Sequence, residues 1–135
     1  MPRVLSEDQR RRFFDDGWVV VPDLFDPAEL DPLRAEIADL VDRAARRLHD
    51  EGRIAELHDG LPFEERLTRL LADHPELRGE YLGAIEGKGG GGHAGAAMFG
   101  LIAHPRLLDA MEDLLGPEIV GSSVYRIRPK VPGLD

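Results

Sequence analysis

A tyrosine and a lysine near the carboxyl end of this 135-residue sequence are the residue types best suited to bind a small anion. Tyr125 and Lys130 stand on either side of Arg126 and Arg128. If residues 118–128 form a strand, alternation places Tyr125 on one face and both arginines on the other. A tyrosine hydroxyl and a lysine ammonium can together hold a small dicarboxylate through charge-assisted hydrogen bonds. The pattern predicts an anion-binding position at Tyr125 and Lys130, and a solvated strand surface is the alternative.

A further cation, Lys88, lies in a glycine-rich stretch over residues 87–95. The stretch satisfies the spacing G-x-G-x-x-G, but a dinucleotide-binding site needs a strand before the glycines and a helix after them. The preceding residues have a helical pattern, which favours a flexible loop. Lys88 precedes the glycines, so the stretch is not a P-loop either. Lys88 is a candidate cation over a ligand, and a solvent-exposed side chain is the alternative.

Five histidines and no cysteines limit the metal sites that this chain can form. The lack of cysteine excludes disulfides, thiolate metal sites and cysteine nucleophiles. Residues 74–76 spell H-x-E, but the proline between them indicates a helix start, so His74 is predicted to be an N-cap or an exposed residue. His104 repeats this pattern, and His93 has no partner close in sequence. The sequence therefore predicts no metal ligand and no catalytic residue within these positions.

Charge and composition restrict the partners. A formal net charge of −9 argues against nucleic-acid binding, which needs a basic face. No apolar run approaches the roughly 20 residues that span a bilayer, and no signal-peptide core follows Met1. We therefore expect a cytoplasmic protein without a nucleic-acid or membrane partner, in an oligomeric state that the sequence leaves open.

The elements that must position these residues are mostly helices. Ser6 and Gln9 have the spacing of a capping box, and Gly17 suits the left-handed end of the first helix. A long helix is predicted over residues 27–50, where apolar residues recur at three- and four-residue steps. Its start is signalled by Asp26 as the N-cap.

Shorter elements follow. Pro62 and Pro75 begin two helices, residues 96–103 are predicted to form another, and the last helix begins at Pro105 and ends at Gly116. Apolar spacing gives the helix after Pro75 one apolar stripe, formed by Leu77, Tyr81 and Ile85. The same spacing predicts that the inward-facing residues of the last helix are Leu107, Leu108, Met111, Leu114 and Leu115. β-Branched residues predict a short buried strand over residues 18–21 and a second strand over residues 118–128. A lone strand is not stable in water, so these strands require partners in a sheet.

Two segments carry a family resemblance. Residues 6–30 read SEDQRRRFFDDGWVVVPDLFDPAEL, and residues 104–130 contain HPRLL, LGPEIV and YRIRPK. Both segments resemble the phytanoyl-CoA dioxygenase family, and they occur in the family's order. Residues 51–95 match it only loosely.

The resemblance implies an Fe(II)- and 2-oxoglutarate-dependent dioxygenase that hydroxylates a small organic substrate. It implies an α+β fold, in which N-terminal helices with a short strand lead into a double-stranded β-helix (a jelly roll). Residues 1–135 would be the N-terminal part of a single domain, with helical support over residues 1–116 and the first core strand over about 118–128. A truncated jelly roll is therefore expected.

The resemblance also implies that only part of the active site lies within residues 1–135. Iron in this family is held by two histidines and a carboxylate, with open positions for 2-oxoglutarate and oxygen, and these ligands would come after residue 135. The chain alone would then be inactive and would not bind Fe(II) or 2-oxoglutarate tightly. Tyr125 would line the 2-oxoglutarate pocket, with Lys88 and Lys130 as further cosubstrate-binding candidates. A non-catalytic, mostly helical interaction module is the alternative function.

Overall fold

The computed structural model describes residues 4–86, 93–122, 125 and 127–132, and 62% of these residues are helical. Short 3-10 turns, Pro27–Leu30 and Pro75–Leu77, lead directly into two of the α-helices. The α-helices of the described ranges are α1 (Glu7–Asp16), α2 (Asp31–Asp50), α3 (Phe63–Asp73), α4 (Arg78–Glu86), α5 (Ala96–Ile102) and α6 (Pro105–Leu115).

Helix α1 begins and ends where the sequence predicts. The Ser6 hydroxyl accepts the Gln9 N–H at 3.2 Å, and the Gln9 side chain accepts the Ser6 N–H at 2.9 Å. Gly17 ends the helix with a φ of 79°, and its N–H donates to the Phe13 carbonyl. A left-handed residue costs glycine little because it has no Cβ. The predicted caps of α1 are therefore confirmed.

The predicted helix over residues 27–50 is divided. Asp26 accepts the Ala28 N–H at 2.9 Å and caps the 3-10 turn, and α2 proper begins at Asp31. Pro32 has no N–H to donate to a carbonyl one turn earlier, and such a residue is tolerated only in the first turn of a helix. Pro32 must therefore lie in the first turn of α2, so the α-helix begins next to it, at Asp31.

The hydrophobic core lies between α2, α3 and α4. Fully burying a leucine side chain stabilises the fold by about 1.5–3 kcal/mol relative to an exposed one. The predicted apolar positions of α4 and of the turn before it are confirmed as buried. The buried members of the core are Val41, Ala44, Ala45, Leu48, Ile54, Leu70, Leu71, Leu77, Tyr81 and Ile85.

The outer face of α2 is charged. Arg43 pairs with Asp39, and Arg46 with Asp42 at 2.7 Å, each one helical turn apart. Such exposed pairs stabilise a helix only weakly.

Among the residues that the structure describes, no helix has both the length and the apolar character required to cross a bilayer.

The predicted α+β fold with jelly-roll strands is wrong. The described residues form no strand and no sheet, neither at residues 18–21 nor in the described parts of residues 118–128. Trp18 is 58% exposed and Val20 66% exposed, whereas the prediction had this segment buried. A strand needs a neighbour to accept and donate its backbone hydrogen bonds. No second strand supplies this within the described ranges, so both segments run as irregular chain beside the helices.

Helix α6 has the predicted bounds but a different packing. It begins at Pro105 and ends before Gly116, which has a φ of 90°. Leu108 and Leu115 were predicted to face inward, but they are 38% and 58% exposed. The buried residue of the helix is Ala110. The prediction of an inward face is therefore wrong for these two leucines.

Polar contacts join α6 to the start of the chain. The Leu5 N–H donates to the Asp113 carboxylate at 2.8 Å. The Arg106 guanidinium binds both carboxylate oxygens of Glu29, which lies in the 3-10 turn before α2. Both contacts come from the Nη2 atom, and charge-assisted hydrogen bonds of this kind are stronger than neutral ones. The N-terminal segment is thereby held against the last helix.

Removing the hydroxyl of Tyr81 is expected to stabilise the protein. Tyr81 has 0% exposure, and its Oη has no hydrogen-bond partner among the described residues. Burial also raises the pKa of Tyr81. Tyr81→Phe should raise the free energy of unfolding by about 1 kcal/mol, because a desolvated hydroxyl is removed while the ring stays. Urea unfolding followed by circular dichroism measures the change. Tyr125→Phe, which removes a hydroxyl that does have a partner, is the control, and a Tyr81→Phe variant that is no more stable than it would contradict the assignment.

Candidate functional site

Tyr125 lies partly buried beside the start of α5. Its hydroxyl donates a hydrogen bond to the His93 carbonyl at 3.0 Å. The side chain lines a hollow of about 580 Å³ together with Phe99, Ile102 and Gly121. Because the single O–H proton is used by His93, Tyr125 has acceptor capacity only. A ligand carboxylate could accept a hydrogen bond from Tyr125 only if the bond to the His93 carbonyl broke.

Lys130 lies at a different hollow. This hollow has a volume of about 330 Å³ and is lined mainly by apolar side chains of α2 and α3, among them Ile37, Val41 and Leu67. The Lys130 side chain is exposed, and no carboxylate of the described ranges forms an ion pair with it. An ammonium without a counter-ion is able to bind an anion. Tyr125 and Lys130 are thus described at separate hollows and do not line one pocket.

The remaining basic candidates are divided between described and undescribed positions. Lys88 and Arg126 lie outside the described residues. Arg128 is exposed. Two of the three predicted cosubstrate-binding residues, Tyr125 and Lys130, therefore have a described position.

A carboxylate from α2 joins the neighbourhood of Tyr125. One oxygen of Glu36 binds the Nε2 atom of His93, and the other accepts the Ala97 N–H at 2.8 Å. Ala97 is in the first turn of α5, where backbone N–H groups have no partner inside the helix. We call these contacts of Glu36 with His93 and Ala97 the Glu36 clasp. It supplies the cap of α5 that Gly95, at the N-cap position, has no side chain to supply.

The electrostatics of the clasp favour the ionised carboxylate. The Ala97 N–H, with a smaller contribution from the His93 ring, holds the pKa of Glu36 below its ordinary value, although desolvation opposes this. The side chains of Glu36 and His93 are only 21% and 18% exposed. The positive end of the α5 backbone acts in the same direction.

Gly95 allows this close approach. A Cβ atom at Gly95 would overlap the Glu36 carboxylate and the His93 ring. The backbone of Gly95 is ordinary extended chain, with φ −95° and ψ 164°. The requirement for glycine here is therefore one of space and not of backbone conformation.

The other histidines form surface pairs. His74 and His104 occupy N-cap positions, as predicted, but neither side chain makes the capping hydrogen bond. Their rings lie 3.3 Å from Glu76 and 3.4 Å from Glu29, respectively. No group of three or more histidine or acidic residues in the described ranges is arranged to hold a metal ion. The described residues therefore do not fit an iron site.

Sequence reasoning gives no link between Glu36 and His93. The two residues lie 57 positions apart, on α2 and on the segment before α5. One signal was present, because a helix that begins after glycine needs its N–H groups capped from elsewhere. A single sequence does not say which carboxylate provides that cap.

Acid is expected to destabilise the protein through four carboxyl groups. Hydrogen bonds from backbone N–H groups or arginines lower the pKa of each group relative to its ordinary value. A lowered folded-state pKa gives stability that is complete above the unfolded pKa, 4.5 for glutamate, and is lost as the pH falls through the folded value. The four groups are Glu29, Glu36, Asp42 and Glu80.

Urea midpoints at neutral pH and at about pH 3 measure this loss. Because four separate groups contribute to the loss, the decrease should be gradual and should have no sharp step. Glu36→Gln, which does not titrate, should lose less stability over the same interval than the parent chain. A midpoint that stays constant down to about pH 3 would contradict the linkage.

Comparison of the chain with protein-family models, curated proteins and solved structures found no match. Function must therefore be inferred from the chain's own residues and from the resemblance of its two segments.

Proposed function

We propose that this chain is the helical N-terminal part of an Fe(II)- and 2-oxoglutarate-dependent oxygenase of the phytanoyl-CoA dioxygenase family. The substrate would be a small organic molecule, and the enzyme would act in the cytoplasm. A net charge of −9 supports a small-molecule substrate over a nucleic acid. The observation that carries the proposal is that the two segments with the resemblance lie against each other.

Contacts between side chains and one backbone N–H make this juxtaposition. The Phe25 and His104 rings meet edge to face, with centroids 5.0 Å apart. Arg106 binds Glu29, and Leu5, which directly precedes the first segment, binds Asp113. Segments that belong to one family domain are expected to pack together. The contacts support the proposal because they join residues 77 to 108 positions apart.

The described residues would contribute scaffold and cosubstrate contacts. The Lys130 ammonium has no counter-ion in the described ranges and would attract a carboxylate. The Tyr125 ring would form part of the wall of the 2-oxoglutarate pocket. The resemblance assigns the iron ligands to residues after 135.

Reading the gene beyond codon 135 is the first test. We expect an H-x-D motif within about 5–20 further residues. The complete gene product should then convert 2-oxoglutarate to succinate in a reaction that requires Fe(II). The matched control replaces the histidine of that motif with alanine, and its turnover should fall to background. A stop codon directly after codon 135, or succinate formation that the histidine variant retains, would contradict the proposal.

Exposed apolar side chains favour a second candidate, a non-catalytic interaction module. Phe99 is 70% exposed, Val120 95% and Trp18 58%. Covering such side chains with a partner protein would be favourable, because it removes apolar surface from water. A stop codon at position 136, together with concentration-dependent association in the ultracentrifuge, would favour this function. An H-x-D motif with iron-dependent turnover would exclude it.

A further inference from the structure

Tyr125 is held by a chain of contacts that begins on α2. The Glu36 carboxylate binds the His93 ring, and the carbonyl of that same His93 accepts the Tyr125 hydroxyl at 3.0 Å. His93 is therefore restrained through its ring on one side and supports Tyr125 through its backbone on the other. These contacts connect positions 57 and 32 residues apart.

The Glu36 clasp restrains the chain on both sides of Gly95. The second oxygen of Glu36 binds the Ala97 N–H, so the carboxylate fixes the residues on both sides of Gly95. Glu36 and His93 are about one-fifth exposed, and a partly shielded hydrogen-bonded pair holds its geometry better than a solvated one. His104 offers a contrast, because its ring also meets a glutamate, but it is not bonded to Tyr125.

We infer that Glu36 and His93 are positioning residues, which fix the Tyr125 side chain at the wall of its hollow. The functional part of this inference rests on the proposed oxygenase, in which Tyr125 lines the 2-oxoglutarate pocket. Groups that orient a binding residue without touching the ligand often change affinity by about 10- to 100-fold when removed. The inferred role of the clasp is thus cosubstrate affinity and not the chemical step.

The position of Tyr125 is measured directly by fluorine NMR. The chain has two tyrosines, so 3-fluorotyrosine labelling gives two resonances, from Tyr81 and Tyr125. Tyr81 is fully buried in the core and reports whether a variant is folded. We expect His93→Ala and Glu36→Ala to move the Tyr125 resonance toward that of free fluorotyrosine and to leave the Tyr81 resonance in place.

Conservative variants separate positioning from general damage. His93→Gln keeps a side-chain N–H able to donate to Glu36, and Glu36→Gln keeps oxygen able to accept from Ala97. Both should retain a Tyr125 resonance near that of the parent chain. Glu29→Ala breaks a different glutamate–histidine contact, that of Glu29 with His104, which is not bonded to Tyr125, and it should leave the Tyr125 resonance unchanged. If Ala variants leave Tyr125 unmoved, or if Glu29→Ala moves it equally, the inference is overturned. If an Ala variant also loses the Tyr81 signal, that variant is not folded, and the Gln variants decide. A Tyr125 resonance that is displaced in folded Gln variants then overturns the inference.

Kinetics of the complete gene product provide the second readout. The KM for 2-oxoglutarate should rise about tenfold in His93→Ala and Glu36→Ala, with kcat within about twofold of the parent. His93→Gln should restore most of the affinity. A fall in kcat at unchanged KM would overturn the inference. If the parent product does not consume 2-oxoglutarate, the proposed function fails, and the NMR result alone decides whether the clasp positions Tyr125.

Discussion

Leu48→Ala is expected to lower the free energy of unfolding by about 2–5 kcal/mol. Leu48 has 0% exposure and lies in the core that α2 forms with α3 and α4. Alanine removes buried apolar surface and leaves a cavity that its neighbours fill only in part. Because a domain is stable by roughly 5–15 kcal/mol, the loss is a large part of the total. Urea unfolding should show a lower midpoint at an unchanged slope.

Leu115→Ala is the matched control. Leu115 is also a helical leucine, but it is 58% exposed at the end of α6. The same deletion there should change the free energy of unfolding by no more than about 0.5 kcal/mol. Equal losses in the two variants would mean that the assigned core does not carry the stability of the chain.

Gly95→Ala is expected to cost about 1–3 kcal/mol, because the added Cβ overlaps the Glu36 carboxylate and the His93 ring. The carboxylate would have to leave its place, and α5 would lose its cap. Thermal unfolding measures the loss, and fluorine NMR of Tyr125 should show the same displacement as His93→Ala.

Gly100→Ala tests the same substitution at a second glycine, within α5. Apart from its chain neighbours and the backbone of its own helix, nothing in the described part of the chain would lie within 4 Å of a Cβ atom at Gly100. Alanine in the middle of a helix is favoured over glycine by roughly 0.5–1 kcal/mol, so this variant should be more stable than the parent. The opposite signs distinguish a steric conflict at Gly95 from a general effect of methyl groups. Stabilisation by both variants would contradict the described clasp.

The helices could be predicted because their signals are local. The capping box of Ser6 and Gln9 and the left-handed Gly17 act within one turn of the chain, and their geometry is confirmed. Proline at position 105 likewise marks a helix start. A cap depends on residues three or four positions apart, so tertiary packing seldom overrides it.

The strand predictions were wrong because the sequence signal for a strand is incomplete. β-Branched residues at positions 18–21 show that a segment tolerates an extended backbone, but they do not supply a hydrogen-bond partner. Trp18 and Val20 are exposed in the irregular chain that results. The inward face of α6 failed for a related reason, since periodicity shows which residues share a side and not whether anything covers it.

The contacts of the candidate site could not be predicted from the sequence. Tyr125 and Lys130 attract notice as a hydroxyl and an ammonium close in sequence, yet they line different hollows. The partner of Tyr125 is a backbone carbonyl, and any residue carries one. Glu36 is one of 26 acidic residues, so nothing in one sequence distinguishes it.

The bond between Leu5 and Asp113 bears on how the chain is made. Ribosomal synthesis runs from the amino end, and at about 5–20 residues per second the 108 positions between these partners take roughly 5–20 seconds to appear. Helix α1 therefore leaves the ribosome long before its anchor exists, whereas α2, α3 and α4 can collapse on one another as they emerge. Docking of the amino end should therefore follow the collapse of α2, α3 and α4, and nascent chains arrested before Arg106 should expose α1 to protease.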